Sequence, residues 1–111
     1  MIEVEIYEEK DGRISAFSVH GHSGLAPKGR DIVCAGVSAL AQTALLGLGR
    51  HLHREIDYNI DPSGDLHMKL REAPDDFTET VLRTMRMGIE EIEKIYPSAV
   101  RTRILNGLSG R

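Results

Sequence analysis

Sulfur, aromatic rings and surplus positive charge are all scarce in this chain of 111 residues. There is one cysteine, Cys34, so no intramolecular disulfide can form. Met1–Lys10 carries charge at alternate positions and lacks the pattern of a secretory signal, which together with the lone thiol leads us to expect a reducing cytoplasm. The net charge is -3 and only 5% of residues are aromatic, which disfavours a general nucleic-acid binder working by basic patches and base stacking. No apolar run reads as a membrane span, because Ser38, Gln42 and Thr43 interrupt the longest one. Repeats, linkers and low-complexity tracts are missing too, so residues 1–111 are expected to form a single domain. What remains is ordinary globular material, 41% hydrophobic and 28% charged, enough for a modest core that a partner subunit would help to complete.

The patterning predicts strand, strand, helix, strand, strand, helix, strand. Ile2, Val4 and Ile6 alternate with Glu3, Glu5 and Glu8, a half-buried strand. The Asp11-Gly12 turn leads into a second strand, Arg13 to His20. Gly21 to Arg30 is glycine-rich and reads as a mobile loop. A helix follows, from Ile32 to about Gly49 or Leu52, apolar on nearly every face. Strands at Glu55–Ile60 and Leu66–Arg71 flank the turn Asp61-Pro62-Ser63-Gly64-Asp65. Pro74 and Asp75 open a second helix whose stripe is Phe77, Val81, Met85, Ile89, Ile92 and Tyr96. Pro97 stops it, Val100–Leu105 is the last strand, and Gly107–Arg111 reads as a loose tail. The fold class is therefore α/β (α+β), with a single mixed, largely antiparallel sheet of about five strands and two helices packed on it. The first helix is too apolar for one sheet face alone, which suggests that its outer side meets a second copy in a symmetric dimer.

The chemistry concentrates between His20 and Ser38. Cys34 lies in the first turn of a helix, where free amides and the helix dipole favour a thiolate. His22 leaves a strand just before the glycine-rich loop. If the loop folds back, imidazole and thiol meet, the minimum for an activated cysteine nucleophile. The amides of Val33 to Ala35 would then be candidates for stabilising an oxyanion. A plainer alternative stands beside this one: a lone cysteine in an apolar helix is commonly a small packed hydrophobe. Asp31 either caps the helix or orients His22. Ser38, at i+4 from Cys34, either holds a thiolate or water, or bonds back to the Cys34 carbonyl.

The run Gly21-His22-Ser23-Gly24, then Gly29, then Asp31-Ile32-Val33-Cys34-Ala35 and Val37-Ser38-Ala39-Leu40 resembles the signature of the ribosomal-processing cysteine protease family, Prp. Strand order and chain length resemble it as well. The resemblance implies a dimeric bacterial endopeptidase of the cytoplasm that removes an N-terminal extension from the twenty-seventh large-subunit ribosomal protein. It casts Cys34 as nucleophile and His22 as general base. Asp31, Ser38 and Gly21 become supporting residues, and Gly24, Leu25 and Gly29 belong to a substrate loop. It implies no cofactor, no membrane and no direct nucleic-acid partner. The loop is expected to be ordered by peptide, leaving His22 and Cys34 too far apart to interact when the cleft is empty.

Other groups are weighed as follows. His20, His22 and Cys34 are too few for a zinc site, so no metal is expected. Arg50, His51, His53 and Arg54 follow a helix end and complement its dipole. His67 reads as a surface residue. Glu3, Glu5, Glu8 and Glu9 read as a solvated strand face, with long-range steering of a basic substrate as the alternative use. Met85 and Met87 read as helix filling. Arg101 and Arg103 are solvated edge charges or an RNA surface. The alternative function is a non-catalytic ribosome-assembly or RNA-binding module using that last strand.

Overall fold

The computed structural model describes residues 1–24 and 31–107. Alternation decides which way each strand faces. In β1 (Ile2–Glu8) the side chains of Ile2, Val4 and Ile6 are buried while the intervening glutamates face the other side. The hairpin partner β2 (Ile14–Gly21) buries Ile14, Phe17 and Val19 on the same face. After α1 (Ile32–Leu46) come β3 (Ile56–Ile60) and β4 (Leu66–Leu70), then α2 (Asp76–Ile95) and β5 (Val100–Asn106). The five strands are ordered β3-β4-β2-β1-β5. Only β5 runs parallel to its neighbour, so the sheet is mixed and largely antiparallel, as the patterning predicts.

Both helices cover the apolar face. Val33, Val37, Ala41 and Ala44 of α1 and Thr78, Leu82, Met85 and Ile89 of α2 are buried. Between them the helices approach closely at glycines. A side chain at Gly88 would come within 2.9 Å of Leu40 Cδ1, and one at Gly36 within 3.3 Å of Ile92 Cδ1. The helical path continues from α1 through a wider π-type turn, Gly47–His51, which buries Leu48. By length and composition the stretch Ile32–His51 is long and apolar enough to cross a bilayer, contrary to expectation. Its Val33-Val37-Ala41-Ala44-Leu48 face instead packs into the sheet's core.

Several expectations change. Phe77 does not belong to the core stripe: it is 66% exposed. It lies at the second helical position, rotated away from the sheet, and Thr78 occupies the inward place. A threonine is tolerated there because its hydroxyl accepts from the Asp75 amide at 2.9 Å and donates to the Asp75 carbonyl at 3.1 Å. Met87 is exposed as well, whereas Met85 is core. The acids of β1 are half-buried and paired rather than simply solvated. Arg101 contacts Glu3 at 3.0 Å, Arg103 contacts Glu5 at 3.8 Å, and Arg86 contacts Glu8 at 2.7 Å. Arg54 does more than complement a dipole, reaching Asp75 at 2.7 Å. Of the tail expected from Gly107 to Arg111, Gly107 is buried rather than loose, an added Cβ there coming within 2.6 Å of Glu9 Oε2, and 108–111 lie outside the described residues.

Candidate active site

The site forms where β2 ends and α1 begins. Gly21 closes β2 with φ +91°, and a Cβ there would sit 2.4 Å from the Met1 carbonyl oxygen, so glycine is the residue that fits. The backbone turn at Gly21 carries His22 off the sheet into solvent. Ser23 follows, buried, and its hydroxyl donates to Asp31 Oδ2. The chain re-enters at Asp31, whose Oδ1 accepts from the amides of Val33 and Cys34, each at 3.0 Å. Asp31 is thus the N-cap of α1, and among the described residues its side-chain partners are Ser23, Val33 and Cys34. Leu25 and Gly29 of the expected substrate loop lie outside the described residues.

His22 Nδ1 lies 4.0 Å from Cys34 Sγ. This is the outer limit of a sulfur hydrogen bond, so the two groups stand at the margin of contact, and the expected ordering of the loop by peptide falls in part on residues 25–30, outside the described ones. Part of the loop is already folded back, anchored through Ser23 onto the cap. Cys34 is half-buried at the wall of a cleft of about 400 Å³ lined also by His20, Gly24, Ala35, Ser38 and Asp65. A roomier hollow of about 510 Å³ lies on the sheet's polar face, lined by Glu5, Ser18, Asp57, His67 and Lys69 among others. It contains neither thiol nor imidazole partner to a thiol, so the chemistry belongs to the smaller cleft.

Two electrostatic expectations are corrected. Burial pushes the Cys34 thiol above its ordinary value, and the hydrogen-bonded Asp31 carboxylate pushes the same way, against a hydrogen bond from the Ser23 amide. The helix start does not favour a free thiolate here, because a carboxylate already neutralises that positive end. The same carboxylate occupies the amides proposed for an oxyanion. Val33 and Cys34 donate to its Oδ1, and the Ala35 amide donates to the Asp31 carbonyl at 3.0 Å. The Asp31 carboxyl itself is lowered from 3.8 to about 2, chiefly by the Ser23 hydroxyl and then by the Cys34 and Val33 amides, against burial. Both effects on Cys34 favour the neutral thiol over the thiolate in this structure.

Sequence reasoning missed one wall of the cleft. Ser63, Gly64 and Asp65 line it from the β3–β4 turn. Their composition announces a turn, but only the strand order β3-β4-β2 brings that turn beside Gly21. Among the described residues no group of three or more His, Cys, Asp or Glu side chains is placed to hold a metal ion.

A thiol at a helix start, with an imidazole delivered from the adjacent strand into one cleft, is the equipment of a cysteine peptidase. A family model described as "Cysteine protease Prp" matches residues 1–101, and the chain belongs to that family. It is 31% identical over 104 residues to the ribosomal processing cysteine protease Prp of Staphylococcus aureus, covering 91% of this chain and 96% of that one. Two crystal structures of Prp from S. aureus share the fold. One, with a covalently linked product peptide, superposes with a TM-score of 0.88 at 28% identity, covering 94% of this chain and 99% of the other. The second, with a substrate peptide, gives 0.83 at 27% identity with the same coverage.

Proposed function

We propose that the protein is the endopeptidase that removes the N-terminal extension of the twenty-seventh large-subunit ribosomal protein in the cytoplasm, with Cys34 as nucleophile and His22 as general base. The observation that carries this reading is the 4.0 Å approach of Nδ1 to Sγ at the wall of a peptide-sized cleft. His22 takes the Cys34 proton as sulfur attacks the scissile carbonyl carbon. The proton then passes to the departing amine as the C–N bond breaks, leaving a thioester. Water, deprotonated by the same imidazole, hydrolyses the thioester and restores the thiol. A neutral thiol suits this sequence, since it still carries the proton that the base takes up as sulfur attacks.

The active form is a dimer through the outer face of α1. Ile32 is 73% exposed and Leu46 48% exposed, and Ala35 and Ala39 lie on the same outer face. The RNA-binding alternative weakens because Arg101 and Arg103 already face glutamates, which compete with phosphate. The test is incubation of the full chain with the extended ribosomal protein. Cleavage at one site by wild type and none by Cys34→Ala, with unchanged thermal unfolding, is expected. Equal cleavage by Cys34→Ala sinks the reading.

A further inference from the structure

We propose that Asp65 and Ser23 are positioning residues for His22, pinning the backbone on either side of the imidazole so that the ring stays within reach of Cys34. The inference rests on the reading of His22 as the base for Cys34 and adds to it the means by which the base is held.

The need for such a device follows from what the ring touches. In many nucleophile–base pairs a third group grips the base and fixes its orientation. Here Asp31, the nearest acid by sequence, is committed to capping α1. Among the described residues the hydrogen-bond contact of the His22 ring is the thiol itself. His22 is exposed and lies just past the end of β2, so neither packing nor the sheet ladder holds it. An unrestrained side chain there would leave the thiol for most of the time, and orientation has to come from the main chain.

Both flanking residues are tethered, each to a carboxylate on a different element. On one side the Gly21 amide donates to Asp65 Oδ1 at 3.2 Å. On the other the Ser23 hydroxyl donates to Asp31 Oδ2. Asp65 is itself held firmly. Asp61 Oδ1 accepts from the Asp65 amide at 3.1 Å and from the Ser63 amide at 2.9 Å, while the Asp61 amide donates to the Asp65 carbonyl at 2.9 Å. The β3–β4 turn is thus a braced bracket, and Asp31 is fixed by the first turn of α1. The residue between the two anchors is the histidine. Neither Asp65 nor the Ser23 hydroxyl touches the reacting atoms, so their effect is on the fraction of time the imidazole faces the thiol.

The test compares Asp65→Ala with Asp65→Asn, and Ser23→Ala with Ser23→Thr, in the full chain. An asparagine oxygen still accepts from the Gly21 amide, and a threonine hydroxyl still donates to Asp31. Loss of one tether is expected to lower kcat about tenfold with KM within about twofold, whereas the conservative partner stays within about twofold of wild type. A readout without substrate is the pH profile of Cys34 alkylation by iodoacetamide. The part of that profile that His22→Ala removes is expected to shrink in Asp65→Ala and Ser23→Ala and to return in Asp65→Asn and Ser23→Thr. If one alanine variant fails to fold, the other tether, on a separate element, carries the same expectation. The proposal is overturned if both alanine variants keep wild-type kcat and profile while His22→Ala is inactive. It is also overturned if Asp65→Ala and Asp65→Asn lose activity equally through KM, which would mean the carboxylate meets the peptide. Full activity of His22→Ala would instead overturn the reading of the site itself.

Discussion

Both helices start in the same way. Asp31 and Asp75 each stand at the N-cap, and each accepts from the second and third amides of the first turn. The third position is Cys34 in one helix and Thr78 in the other. At α2 the threonine hydroxyl returns a hydrogen bond to the Asp75 amide, Arg54 neutralises the carboxylate, and every group in the arrangement serves the helix. At α1 the corresponding side chain is a thiol, no cation is paired with the carboxylate among the described ion pairs, and a serine and a histidine arrive from the neighbouring strand. One local motif therefore supports two outcomes. What converts a helix start into a reactive site is the element that topology places beside it.

Exchanging the third residues tests that statement most severely. Cys34→Thr makes α1 begin as α2 does, and cleavage is expected to fall by at least about 10⁴-fold while thermal unfolding changes little. Thr78→Cys supplies α2 with a thiol but no imidazole, and because position 78 is buried its alkylation rate is expected to fall below that of an ordinary exposed cysteine. Fast, His-dependent alkylation at position 78 would break the comparison. Next in size, His22→Ala is expected to cost about 10²–10⁴-fold in kcat/KM. Thr78→Ala is expected to leave kcat/KM alone and to lower stability by about 1 kcal/mol through loss of the capping box, read as a Tm shift of a few degrees.

The two aspartates separate more finely. Asp31→Asn keeps an acceptor for the amides but removes the negative charge that disfavours a thiolate, so the midpoint of Cys34 alkylation is expected to move to lower pH. Asp75→Asn is expected to leave that midpoint in place. The smallest effect is on acid stability. The Asp31 carboxyl is lowered from 3.8 to about 2 on folding, so its contribution is fully present above the unfolded value and fades as pH falls toward 2. In Asp31→Asn the stability curve between pH 4 and pH 2 is expected to be flatter, as measured by urea unfolding; an unchanged slope would remove the aspartate from the account.

The contrast also explains which parts were legible in the sequence. Strand alternation in Ile2–Glu8 and the stripe through Met85 and Ile89 depend on residues near one another in the chain, and period alone reveals them. Cys34, His22 and Asp31 were visible for the same reason, because one strand end, one loop and one helix start contain them all. Phe77 misled because periodicity assigns a face but not the residue at which the helix begins. The amides of Val33 to Ala35 misled because a free helix start and a capped one read alike until the cap's hydrogen bonds are seen. Asp65 was invisible as part of the cleft, since its proximity to Gly21 depends on a strand order that no local pattern encodes.

Gly88 has no place in the cleft, yet it lets α2 lie close to α1: a methyl group there would meet only the movable tip of Leu40 at 2.9 Å, whereas a bulky side chain would have to push the helices apart. The helix bearing the thiol leans on the helix bearing that glycine, whereas the imidazole follows the end of β2. A wedge between the helices would shift the Cys34 thiol relative to the His22 imidazole without touching either. In a random mutant library, folded but inactive clones are therefore expected to recur along this helix seam as well as around the cleft.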